Sequence, residues 1–272
     1  MKKLLLLIAS TAVMFWSCNS DADKKATETA TDSTKVESNV DKNTLYRLPS
    51  PVEFYMFMRE SKAKFAPKAM NKLENVSKYN TVTSKAMNFG VYASDLAYCT
   101  VYGQNQETFL YFSKAKQLAD ELGLTEGFDE KIANRIDKNI NNSDSLQNIT
   151  TDGYWEAVTY LESQDKSNLL PYILVGSWLE SVHLAIASVQ KFDANNPVVI
   201  RIAEQQLLLE NLLDHLNSSA DVDKLKDIIS KLTDIQSSFD LLYDNTEDVM
   251  ITKEQYQEIT KKIETLRAEI IS

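Results

Sequence analysis

Leu225, Ile228, Leu232, Ile235, Phe239 and Leu242 fall alternately three and four positions apart, and Tyr256, Ile259, Ile263, Leu266 and Ile270 repeat the spacing. Such spacing lines apolar side chains along one stripe of an α-helix and cannot keep them on one face of a strand. The same recurrence runs through most of the chain beyond residue 50. Extended strict alternation is missing, and 272 residues carry only 6 glycines and 5 prolines. With so few breakers, the expected fold class is all-α, a multi-helix bundle. The two C-terminal stripes read as coiled-coil-like seams. The short link at 244–251 should fold them back as an antiparallel helical hairpin.

Helix boundaries are legible in places. Ser50-Pro51-Val52-Glu53 has the order of a capping box with proline at the first helical position. Asn196-Pro197 repeats the arrangement, and Thr252-Lys253-Glu254-Gln255 is a second capping box. Gly123 follows Leu122 where a helix C-terminal cap is expected. Pro67 interrupts what would otherwise be one helix over 51–79. The pattern predicts eight or nine helices joined by short polar links.

Two segments are apolar nearly all the way round, "KAMNFGVYASDLAYCTVY" at 85–102 and "NLLPYILVGSWLESVHLAIASVQ" at 168–190. Burial on every side is the expectation. The second is long enough to raise a membrane span, but Glu180, His183 and three serines within it favour a core helix. Phe89-Gly90 before Tyr92 matches Val175-Gly176 before Trp178, and each precedes an acid, Asp95 or Glu180. One reading is a duplicated three- or four-helix unit. The other is that helices with one burial pattern converge. A helix-interior glycine is unfavourable against alanine, so Gly90 and Gly176 should admit a closely approaching helix.

No stretch names a reaction. Glu180-Ser181-Val182-His183 is a single E-x-x-H, whereas helical di-iron sites use two with further carboxylates. His215 has Leu212 at the matching position. Glycine-rich phosphate loops and nucleophile elbows are missing, so no catalytic residue, metal ligand or cofactor is expected. Cys99, within an apolar pattern, reads as a buried thiol. Aromatic and polar residues of the two apolar helices define a candidate ligand pocket: Tyr92, Asp95, Tyr98, Trp178, Glu180 and His183. A carboxylate-based enzyme would need Asp95 and Glu180 together in an open cleft.

The N-terminus sets an expected location. Lys2 and Lys3 precede an apolar run over 4–15, then Ser17 and Cys18. A positive start with a short apolar core reads as a signal peptide over 1–17. The junction resembles the lipobox of bacterial lipoproteins, with Phe15 and Trp16 where the pattern has a leucine-like and a small residue. The resemblance implies cleavage before Cys18 and acylation there, palmitate among the chains. Two or more such chains anchor stably. Residues 18–44 have no aromatic residue and read as a lipid-anchored disordered tether. Ser20-Asp21-Ala22-Asp23 resembles an acid-rich surface-export signal. The all-helical domain is 45–272. Its stretches "NFGVYASDLAYCTVYGQNQET" and "NINNSDSL" resemble uncharacterised all-helical lipoproteins of Bacteroidota. That resemblance implies a cell-envelope location, and with the lipid anchor the expected place is the outer membrane, with the body facing the periplasm or the cell surface.

The formal charge is −10, and removing Lys2 and Lys3 with no acid makes it −12. An acidic chain without a basic cluster disfavours nucleic acid as a partner. The leading expectation is a non-enzymatic envelope lipoprotein whose helical body binds or scaffolds a protein partner, with the membrane reached through the lipid anchor at Cys18. The alternative is a small-ligand module with a pocket between helices 85–102 and 168–190.

Overall fold

The computed structural model describes residues 50–124, 130–139, 142–163 and 166–272. The leader, Cys18 and the tether lie outside the described residues. Among the described residues there are ten α-helices and no strand.

Helix α1 (Pro51–Glu60) starts as its sequence dictates: Ser50 Oγ accepts the Val52 amide at 3.2 Å. It ends seven residues before Pro67. Lys62 adopts φ 64°, while the Lys62 and Ala63 amides donate to the Arg59 and Met58 carbonyls, closing the last turn as a Schellman motif. Residues 61–72 then run irregularly to a 3₁₀ turn, Leu73–Lys78.

Helix α2 (Val82–Val101) opens with a reciprocal capping box between Thr81 and Ser84. Helix α3 (Asn105–Glu121) ends at Gly123, whose φ of 71° suits the left-handed cap. Helices α4 (Glu130–Lys138) and α5 (Ser143–Ser163) follow, then a 3₁₀ turn leads into α6 (Leu170–Ser188). The helical run over 197–217 is divided at Glu204 into α7 (Pro197–Ala203) and α8 (Gln205–Asn217), capped by Asn196 Oδ1 on the Val198 amide at 2.9 Å. Helix α9 (Val222–Asp240) and helix α10 (Lys253–Ile270) complete the chain, with the Thr252–Gln255 box formed in both directions.

The centre is the pair α2 and α6. A Cβ on Gly90 would lie 2.1 Å from the Ile173 carbonyl oxygen, and one on Gly176 would lie 1.9 Å from that of Met87. The two helices therefore touch main chain to main chain, and only glycine fits at either contact. Helices α1, α3 and α5 pack on α2, while α7, α8 and α10 pack on α6. Ser167–Ser188 is long and apolar enough to cross a membrane, yet its whole apolar window is buried inside the fold.

Every C-terminal seam residue from Leu225 to Ile270 named above is buried. Lys262 reaches Asp234 and Lys231 reaches Glu269, so the order of pairing reverses and α9 and α10 are antiparallel. The seams do not face only each other: α9 also packs on α8, and α10 also packs on α6. The hairpin is thus the outer layer of the bundle.

Candidate functional site

An irregular segment packed on a core must find partners for its inward-facing backbone groups without a helix ladder of its own. Residues 61–72 find them on α2, α3, α6 and α10. The Ala66 amide donates to Tyr98 Oη at 2.8 Å, and the Tyr102 hydroxyl donates to the Ala63 carbonyl at 3.0 Å. The Tyr92 hydroxyl donates to the Lys72 carbonyl and that of Tyr111 to the Asn71 carbonyl, both at 2.8 Å. The Asn71 amide donates to Asp95 Oδ2 at 3.2 Å. Phe65 packs its ring against both Tyr98 and Tyr102, at centroid distances of 4.9 and 5.5 Å, and those two rings lie 4.8 Å from each other.

The segment's carbonyl at Ala69 is the focus. Arg267 Nη2 and His183 Nε2 both meet it at 2.9 Å. Arg267 also grips Glu180 with two parallel bonds, Nε to Oε2 at 2.6 Å and Nη2 to Oε1 at 2.7 Å. His183 Nδ1 reaches Glu264 Oε1 at 2.7 Å. The i, i+3 spacing of Glu180 and His183 places both under one carbonyl, where each serves a different partner on α10.

Glu180 and Asp95 are both 0% exposed. Burial, then the neighbouring Glu180 charge, pushes the Asp95 carboxyl well above the usual carboxylate range, against the opposing pull of Arg267. Asp95 Oδ1 has no hydrogen-bond partner among the described residues. One guanidinium faces two carboxyls, so a proton held by Asp95 leaves the buried cluster neutral, the arrangement that desolvation favours. Beside them Tyr55 O–H, Ser94 Oγ and Ser181 Oγ form a further buried chain, with Tyr55 to Ser94 at 2.6 Å and Ser94 to Ser181 at 2.9 Å. Cys99 is fully buried against Met70, with Sγ to Sδ at 3.4 Å, and burial pushes its thiol up.

Five of the six residues expected to line a pocket thus converge on the chain's own segment: Tyr92, Asp95, Tyr98 and His183 directly, and Glu180 through Arg267. Trp178 does not join them. It lines a cavity of about 190 Å³ beside α1, α5, α7 and α8, with Phe54, Phe57, Leu174, Arg201 and Leu208. The sequence reading passed over Arg267. Its signal was present, because Arg267 lies four residues after Ile263 and so falls on the apolar face of α10, where a charge needs a buried partner.

Comparison with protein-family models, curated protein sequences and solved structures gives no match.

Proposed function

We propose that this chain is a non-enzymatic, lipid-anchored envelope module whose helical body binds a protein partner through the end of its C-terminal hairpin. One observation carries the reading. Leu241, Tyr243, Val249 and Met250 are 52, 68, 37 and 48% exposed within a single link. That link is fixed in shape. Gln255 Nε2 donates to the Leu241 carbonyl at 3.0 Å and to Asn245 Oδ1 at 3.0 Å, while Asn245 Nδ2 donates back to Gln255 Oε1 at 2.9 Å. A pre-shaped apolar tip loses little freedom on binding. Exposed Asp240, Asp244, Glu247 and Asp248 surround it, so the fitting partner presents an apolar groove with a basic rim.

Anchorage at Cys18, the tether over 18–44 and a location at the outer membrane belong to the same proposal, on the strength of the leader and the lipobox-like junction. A photocrosslinker in place of Tyr243 in living cells tests the docking reading. A discrete adduct should form there, vanish with Met250→Asp, and not form from the exposed Lys226 on α9. Equal adducts from both positions would contradict it. Cys18→Ala should release the body from membranes.

A further inference from the structure

Two surfaces of opposite charge lie at one end of the bundle. Glu180 and His183 of α6 meet Arg267 and Glu264 of α10, and Phe192, just past α6, packs on Tyr256 at a centroid distance of 5.3 Å. The partners on α10 fall in number as α6 advances, so the two helices are antiparallel. The chain leaving α6 and the link entering α10 therefore share an end. A groove of about 360 Å³ opens there, between residues 61–64 after α1 and residues 188–198 at the end of α6 and beyond. Ala63, Val189 and Val198 give it apolar surface, and exposed Lys62, Lys64 and Lys191 border it with one acid, Asp193. None of these lysines has an ion pair among the described residues, and neither does any of Asp240, Asp244, Glu247 and Asp248 around the hairpin tip.

The tip supplies what this groove lacks. Leu241, Tyr243, Val249 and Met250 offer apolar surface ringed by acids. A space of ~150 Å³ holds one benzene ring, so the groove has room for the Tyr243 ring and a second apolar side chain. The bonds between Gln255 and Asn245 fix the tip in place, and no hydrogen bond or ion pair joins it to the groove of its own chain among the described residues. The occupant of the groove must then come from another molecule. We propose, resting on the reading of the tip as a docking surface, that the partner is a second copy of this chain, each tip seated in the groove of the other. Because tip and groove share an end, one two-fold axis can satisfy both contacts, as an isologous interface requires. Three lysines and one aspartate then face four acids across each contact, which fixes the register and disfavours tip against tip.

The test uses the full chain, co-expressed in cells as two differently tagged copies, with the photocrosslinker in place of Tyr243. The adduct should carry both tags and twice the mass of one chain. Reversing the groove in both copies (Lys62→Glu, Lys64→Glu and Lys191→Glu) should reduce that adduct at least about tenfold, because like charges then face each other. Reversing the tip in both copies (Asp244→Lys, Glu247→Lys and Asp248→Lys) should do the same. All six side chains are exposed. One groove-reversed copy expressed with one tip-reversed copy should regain the adduct, because unlike charges again meet at both contacts. That rescue separates lost pairing from lost folding. An adduct to a different protein, with no doubly tagged species, would overturn self-pairing while the docking reading of the tip stands. No adduct from position 243 would overturn both. A doubly tagged wild-type adduct that the mixed pair does not regain would overturn the assignment of the groove.

Discussion

The α2–α6 crossing and the α9–α10 hairpin share a helical periodicity but are held together by different atoms. At the crossing, main chain meets main chain at Gly90 and Gly176, and the Glu180–Arg267 pair beside it is buried and joined by two hydrogen bonds. In the hairpin, apolar side chains fill the contact and the cross-helix pairs lie largely in water, Asp234 being 65% exposed. A periodic stripe can therefore lose a surface partner cheaply. A backbone crossing tolerates neither an added methyl group nor an orphaned charge.

The difference can be broken at four positions. Glu180→Ala leaves Arg267 buried and unpaired and should destabilise the fold by about 3–5 kcal/mol in urea unfolding; a loss below about 1 kcal/mol would erase the contrast. Gly176→Ala should lose about 3 kcal/mol, at the upper end of overpacking and despite alanine's better helix propensity, because the new methyl lands on the Met87 carbonyl. Asp95→Asn sharpens the electrostatic side. Burial gives the folded chain a proton that the unfolded chain releases above its ordinary carboxylate value. Wild-type stability therefore carries a falling contribution as pH rises from about 4, of up to about 1.4 kcal/mol per pH unit, which the Asn variant lacks. The stability difference, variant minus wild type, should grow between pH 4.5 and 7, read from paired denaturation curves. Lys262→Ala, which breaks the pair with Asp234, should cost no more than about 0.5 kcal/mol in the same assay.

Much of this contrast was legible in the sequence. The hairpin followed from its spacing, the Asn196 and Thr252 caps from their side chains, and the close approach at Gly90 and Gly176 from the strangeness of glycine inside an apolar helix. Other features were hidden. Pro67 announced a break, but Lys62 ends α1 earlier in a conformation usually left to glycine, so the sequence did not show where the irregular segment at 61–72 begins. The fate of the aromatic and acidic residues on α2 and α6 depended on that segment lying against them. Phenol hydroxyls and a carboxyl that look free in sequence satisfy backbone groups far away along the chain. For the same reason the cavity at Trp178 lies toward α1, α7 and α8, since the glycine contact leaves no room at the crossing itself.

The most direct test of this account is backbone amide hydrogen exchange at Ala66 and Asn71, in wild type and in Tyr98→Phe. Both amides sit in an irregular segment, yet they donate to Tyr98 Oη and Asp95 Oδ2. They should exchange as slowly as amides in the centre of α2, and Tyr98→Phe should release Ala66 selectively while Asn71 stays protected. Fast exchange of both amides in wild type would mean that the buried side chains of α2 do not hold this segment, and the account would fail.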